Sequence, residues 1–159
     1  MSIHFSTGSQ HAQAQNHVHA YRSSKFDVSA SANSFQTIPD LETPDLTMAV
    51  ASSTIVYWFD LSTETDNGNG HGIARTQYST NSGSSWTVHQ VFNHTGNQDN
   101  AVGTACHGVH TPGLSAGSTY RMRVQYARTS SGSGNHAIAD TGPGHSPIAR
   151  LTVMALEPN

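Results

Sequence analysis

The chain reads as an all-β protein, an antiparallel β-sandwich, and three observations predict it. First, apolar and polar residues alternate strictly through "STYRMRVQYAR" (118–128). Alternation of period two is the signature of a half-buried strand, because successive side chains point to opposite faces of a sheet. Second, short β-branched and aromatic runs recur about every 8–12 residues between Gly, Ser and Asn clusters. Third, no stretch carries apolar residues at helical spacing.

Residues 1–16 are polar and without hydrophobic period, which predicts an arm ordered by partners. The domain division expected from sequence is a polar, partly extended N-terminal arm over 1–40 and a sandwich over 41–159. In "TIPDLETPDL" (37–46), Pro39 and Pro44 argue for an extended connection and against a helix. "STIVYWFDLS" (53–62) is nearly continuous in apolarity and reads as a central strand covered on both faces. "TDNGNGHG" (65–72) is a turn. "IARTQYS" and "WTVHQVF" form a hairpin around "TNSGSS", "NHTGNQDN" is a loop, and "AVGTACHGVHT" is a strand broken by glycine. "PGLSAGS" leads into the alternating segment, "SSGSGN" leaves it, and "PIARLTVMAL" (147–156) supplies the last strand. Eight or nine such strands make a jelly-roll-like antiparallel β-sandwich the expected architecture.

Composition narrows the function. At 159 residues the chain is one domain, large enough to bury roughly 68–70% of its unfolded surface. Charged residues are 11% of it, against about 25% in an average domain, and Lys25 is the single lysine. A formal net charge of −3 with scattered acids leaves no basic footprint for nucleic acid. No run of about 18 apolar residues spans a membrane. The first residues show no basic and apolar leader, so no signal peptide is expected. Cys106 is the sole cysteine, which excludes an intrachain disulfide and a cysteine-based zinc finger. Synthesis in a reducing cytoplasm is expected.

Several stretches invite a chemical reading. "STNSGSSW" (79–86) matches an Asp-box with Asn81 in the aspartate position. Its expected role is a hairpin: Asn81 bonds the amides ahead of it, Gly83 takes the left-handed turn, and Trp86 packs beneath. His17 and His19 project from one face of a strand, spaced to grip one metal ion. Two ligands alone are too few, so the pair is read as part of a polar strand or arm. Cys106, His107 and His110 form a partial ligand set interrupted by Gly108, read as a buried cysteine beside two histidines. "DTGPGH" (140–145) lacks the apolar strand that an aspartic-protease signature requires. The turn "TDNGNG" has too few carboxylates for calcium. Nothing assembles a triad, a P-loop or a dinucleotide fingerprint, so the expectation is no enzyme, no cofactor and no metal.

The alternating segment raises the functional question. Arg121, Arg123 and Arg128 are half of the chain's arginines, placed along one strand whose Tyr120, Met122, Val124 and Tyr126 are to be buried. Arginine is enriched at protein interfaces, so all three are assigned to a partner interface, with a solvated sheet face as the alternative.

"GLSAGSTYRMRVQYARTSSGSGN" followed by "PIARLTVMAL" resembles the end of the small jelly-roll structural proteins of tailed-bacteriophage virions, of the capsid-decoration and fibre-head type. The matching positions are Leu114, Ala116, Gly117, Thr119 and Tyr120, then Arg150 to Leu156, with Ala155 standing where an acid is usual. "ARTQYSTNSGSSW" resembles their central hairpin, and the likeness covers about residues 50–156. The resemblance implies a non-enzymatic virion protein made in the host bacterial cytoplasm. Its partners would be copies of itself, as a homotrimer, and the major capsid or another virion protein. Capsid decoration (cement) is the leading reading. A tail-fibre or receptor-binding head recognising host glycan through loops such as "DNGNGHG" or "TGNQDN" is one alternative, and a free-standing sugar-binding module another. In the trimeric phage proteins H-x-H pairs meet on the three-fold axis, which is the one setting where His17 and His19 would hold a metal.

Overall fold

The structure is a computed structural model describing residues 17–29, 31–65, 71–95, 102–129, 136–138 and 148–157. Its strands are β1 (His17–Arg22), β2 (Phe26–Val28), β3 (Gln36–Glu42), β4 (Leu46–Thr47), β5 (Thr54–Thr65), β6 (His71–Ser79), β7 (Thr87–Thr95), β8 (Val102–His110), β9 (Thr119–Arg128), β10 (His136–Ile138) and β11 (Ala149–Leu156). There is no helix among the described residues. Every pairing is antiparallel and the pairs are nested. β6 pairs with β7, β5 with β8, β3 and β4 with β9, β2 with β10, and β1 with β11. Such nesting is one long hairpin, and rolling it up brings β5 against β10 and β11, and β6 against β9. The result is a jelly-roll sandwich. Sheet A runs β1/β2, β11/β10, β5, β8; sheet B runs β3/β4, β9, β6, β7.

The core is the interleaving of two inner faces. From sheet B, Tyr120, Met122, Val124 and Tyr126 of β9 are fully buried, joined by Ile38, Leu41, Leu46 and Ala74. From sheet A come Ile55, Tyr57, Phe59 and Leu61 of β5, with Leu151 and Val153 of β11 and Ile138 of β10. Each large side chain removed from water contributes roughly 1.5–3 kcal/mol. Phe59 meets Phe92 edge-on, with centroids 5.1 Å apart.

Two expectations change here. β1, β2 and most of β3 fall within residues 1–40, so the sandwich starts well before residue 41. Val28 and Ile38 are core residues and Ala20 is buried; β1 is held along its length by β11, more than 120 positions on. The arm read over residues 1–16 lies outside the described residues. β5 is central, as expected, but it is covered on one face only. Ile55, Tyr57, Phe59 and Leu61 point inward, while Trp58 and Asp60 are exposed on the other side.

The prolines act as read. β3 is extended but bulged, with its register against β9 shifting between Thr37 and Glu42. Pro39 brings no N–H to that ladder, and Asp40 takes φ 65° beside it. A second bulge lies in β7, where the register with β6 shifts between Thr76 and Gln77. Gln77 faces Val88 and Thr76 faces Gln90, so His89 is the extra residue. The bulge brings both His89 and Gln90 to the edge of the space between the sheets, where Tyr57 Oη donates a 2.8 Å hydrogen bond to Oε1 of the exposed Gln90.

Gly108 makes that bond possible. A Cβ there would lie 2.2 Å from Tyr57 Oη and 2.4 Å from Cζ. Gly108→Ala is therefore expected to push the Tyr57 ring off Gln90 and to cost about 1–3 kcal/mol, the usual range for overpacking. Denaturant unfolding of the purified variant reads the loss; an unchanged midpoint would mean the ring moves freely.

Candidate interaction surfaces

The arginine strand divides by parity. Arg121 and Arg123 stand with Gln125 on the outer face of sheet B. Arg128 has the parity of Tyr120, Met122, Val124 and Tyr126, and its Nε is buried at the end of the sandwich. β9 thus carries two outward arginines, and the third is directed to the core side by the alternation itself.

Arg121 closes a local network. Its Nε hydrogen-bonds the Asp45 carboxylate, and its Nη1 lies 3.3 Å from Glu42 Oε1. The guanidinium holds the Asp45 carboxyl below its ordinary value, against a smaller opposing effect of burial. Ser82 Oγ also donates to Asp45 at 2.8 Å, which ties the Asp-box turn to the β3–β4 segment. That turn is built as the sequence implies. Asn81 Oδ1 accepts from the Ser85 amide at 2.9 Å, Ser79 Oγ accepts from the Gly83 amide at 2.9 Å, and Gly83 takes φ 86°.

Arg123 and Arg75 are held differently, each by an amide and a ring. Arg123 donates from Nε to Gln77 Oε1 at 2.8 Å, and its guanidinium lies 4.1 Å over the Trp86 ring. Arg75 donates from Nε to Gln125 Oε1 at 2.7 Å and lies 3.9 Å over the Phe35 ring. The two glutamines are each 7% exposed, and Gln125 is anchored in turn by donating to Thr37 Oγ1 at 2.9 Å. The register sets Arg75 opposite Gln125 and Gln77 opposite Arg123, so the two arginines are diagonal neighbours. Burial lowers the pKa of both, and for Arg123 the charge of Arg75 adds to the lowering while Glu42 opposes it. Among the described residues no carboxylate lies within ion-pair distance of either. Arg75 was missed in the sequence because β6 alternates weakly; only the long-range register shows it beside Arg123.

The outer face of sheet A is a second surface of opposite character. Three rows cross it: His17, Met154, Val56 and Val109; His19, Thr152, Trp58 and His107; Tyr21, Arg150, Asp60 and Ala105. Tyr21 is 63% exposed, Val109 59% and Trp58 39%. Within these rows the one cation and one anion, Arg150 and Asp60, sit opposite each other in register, while Asp27 is exposed farther along the sheet on β2. The imidazoles of His17 and His19 are near-parallel with centroids 6.4 Å apart. Among the described residues they meet no third ligand, and no group of three or more metal-binding side chains occurs. An open cleft of about 440 Å³ lies at this face's edge, lined by His19, Tyr21, Ser23, Ile148, Arg150 and Thr152.

The strand "CHGVH" splits by parity as well. Cys106 and His110 turn inward while His107 is exposed beside Trp58, so the three do not converge. Burial raises the pKa of the Cys106 thiol. His110 meets His89 across the gap between the β7 and β8 edges, with centroids 4.4 Å apart, and its Nδ1 is 2.9 Å from Tyr120 Oη. Tyr57 and Tyr78 pack on these rings, and His89 Nε2 is buried with no hydrogen-bond partner. The loop "DTGPGH" and all but the first residue of "TGNQDN" and of "TDNGNG" lie outside the described residues.

No family profile and no curated protein sequence matches the chain. Solved structures match in shape. Eiger TNF from S. frugiperda is 10% identical at TM-score 0.46, with 90% of this chain and 93% of that chain covered. The globular domain of zebrafish complement 1qA protein is 11% identical at TM-score 0.44, with 91% and 99% covered. The VP2 subviral particle of infectious bursal disease virus is 10% identical at TM-score 0.49, with 100% of this chain and 46% of that chain covered. These are likenesses of architecture, and the functional reading rests on this chain's own surfaces.

The histidine pair gives the fold an acid-sensitive edge. Burial and the neighbouring His89 push the His110 pKa down to about 4 from 6.5, and burial lowers that of His89. The folded state therefore binds fewer protons than the unfolded chain in this range. Stability contributed by the neutral rings is present above pH 6.5 and is lost as pH falls toward 4. Melting temperature should drop across that window, and His110→Gln should flatten the drop. A melting temperature constant over the same range would contradict the neutral, buried pair. The loss tied to Asp45 belongs to lower pH, below its ordinary value of 3.8.

Proposed function

We propose that the chain is a non-enzymatic virion structural protein, a capsid decoration protein that self-associates through the outer face of sheet A and stabilises a phage head by repeated contacts. One observation carries the self-association: the central strand of sheet A presents Trp58 to solvent between Thr152 and His107, among rows whose one cation and one anion, Arg150 and Asp60, stand opposite each other in register. A continuous exposed face with large apolar side chains marks an interaction site. The low charge of these rows fits neighbouring copies of this chain arranged around a three-fold axis, since such copies neither repel there nor need a charged counterpart. The resemblance of residues 50–156 to phage decoration and fibre-head proteins supplies the virion setting and the expected trimer. Many weak contacts repeated over a shell add by avidity, so each can be modest.

The measurement is solution mass by light scattering on the purified chain. A trimer of the 16.9 kDa subunit is expected. Trp58→Asp should give a folded monomer, because the ring is partly exposed and its loss leaves the core intact. The wild-type protein should raise the melting temperature of decoration-free capsids, and Trp58→Asp should do so less. A wild-type monomer at high concentration would sink the self-association.

The cleft beside Tyr21 favours one other reading, a receptor-binding head. An exposed tyrosine ring next to Ser23, Arg150 and Thr152 offers a sugar one stacking face and several hydrogen-bonding groups. Saturable glycan-array binding that Tyr21→Ala abolishes would move the assignment there; an array without signal would leave the cleft a feature of the interface.

A further inference from the structure

We infer that Arg75 and Arg123 form a two-point clamp on the outer face of sheet B for an extended, acidic segment of a partner protein, one carrying carboxylates at alternate residues. The clamp is distinct from the neutral face of sheet A and does not rest on the assignment to a virion.

Its first support is incompletely compensated charge. The two guanidiniums are diagonal neighbours across β6 and β9, and no described carboxylate lies within ion-pair distance of either; Glu42 stands opposite Arg123 in register and offsets part of its charge, but its carboxylate contacts Arg121. The nearby acids are already engaged, since Glu42 and Asp45 both contact Arg121. Half-buried cations of like sign raise each other's free energy, and an anion bridging or flanking them relieves that cost.

The second support is preorganisation. Nε of each arginine is fixed by a glutamine that is itself only 7% exposed, and each guanidinium plane lies against an aromatic ring. The Nη atoms of both make no hydrogen bond among the described residues, and none of them is buried. The donors that match a carboxylate bidentately are thus presented on rigid supports, so little side-chain entropy remains to be lost on binding.

The third support selects the ligand. Diagonal neighbours on antiparallel strands stand about 7–8 Å apart, and somewhat closer at Cβ. Carboxylates at positions i and i+2 of an extended chain are separated by about 6.6–6.8 Å. The rings of Phe35 and Trp86 are covered by the guanidiniums, which removes them as stacking platforms for a sugar. Beside the clamp, Val91 faces Arg75 and Val88 faces Gln77 on edge strand β7, and both valines are exposed. Paired arginines bordered by exposed aliphatic side chains are the chemistry of a protein interface.

The test uses the whole chain and a blocked peptide, acetyl-Thr-Glu-Val-Glu-Thr-amide, titrated by calorimetry at low ionic strength. Saturable binding is expected, weakened about tenfold or more when both glutamates are replaced by glutamine, the equivalent of losing roughly 1.4 kcal/mol. Arg75→Gln with Arg123→Gln should abolish the difference between the two peptides, whereas Arg121→Gln should leave it. The two-peptide comparison on the wild-type protein stands even if the double variant folds poorly. Equal binding of both peptides, no binding of either, or an undiminished response in a folded double variant would overturn the clamp. Tighter binding of a galacturonate oligosaccharide than of the glutamate peptide would also overturn it, by reassigning the arginines to an acidic sugar. None of these outcomes bears on the oligomeric mass, so the clamp and the self-association of sheet A fail separately.

Discussion

The structure depends on the alternation of β9. Tyr120, Met122, Val124 and Tyr126 are fully buried along one side of that strand, and it sits between β3/β4 and β6 at the middle of sheet B. A strand with four large inward side chains has one viable register, because a slip of one residue would bury Arg121, Arg123 and Gln125 instead. Fixing β9 fixes β6, and fixing β6 places Arg75 diagonal to Arg123. The arrangement of charges on the outer face is therefore a consequence of core packing. The surface was set by what had to be inside.

The two outer faces solve the exposure problem in different ways. Sheet B covers its outer side with its own long polar side chains: guanidiniums lie over Phe35 and Trp86, and glutamine amides hold them in place. Sheet A has no such cover, and Trp58, Val109 and Tyr21 remain open to solvent. The contrast matters because exposed aliphatic and aromatic groups on a neutral sheet associate with any similar surface unless one partner is specified. In the proposed assembly a symmetric self-contact would specify it, and sheet B would remain available to a partner of different chemistry.

Much of this was legible in the sequence, and the limits of legibility were physical. Local patterns read correctly: the parity of 118–128, the Asp-box hairpin with Gly83 at φ 86°, the extended path through Pro39 and Pro44. Each depends on residues a few positions apart. The strands before residue 41 did not read, because β1 and β2 are short, contain polar residues, and are stabilised by partners more than 100 positions away. β5 looked covered on both faces because Val56 and Trp58 are apolar; whether an apolar face is covered inside one subunit or by another is not encoded in its composition. Arg128 is a separate case. Its parity with Tyr126 was visible, and the alternation that identified the strand already removed it from the outer face.

The bulge in β7 shows why position along a strand can mislead about chemistry. A regular strand would alternate His89 and Gln90 between faces, leaving one of them in solvent. One inserted residue brings both to the seam between the two sheets, where the still exposed Gln90 accepts from Tyr57 and His89 packs against His110. That seam is the only place where neutral imidazoles stand in for aliphatic packing along facing sheet edges among the described residues, and they do so next to an unbonded Nε2. An aliphatic pair would close the edge at every pH. Histidines close it only while uncharged, so the edge strands β7 and β8 are joined by a contact whose strength follows acidity. β7 is also the strand whose exposed valines border the arginine clamp. The histidine seam and the clamp thus share one strand, β7, which contributes His89 to the first and the bordering valines to the second.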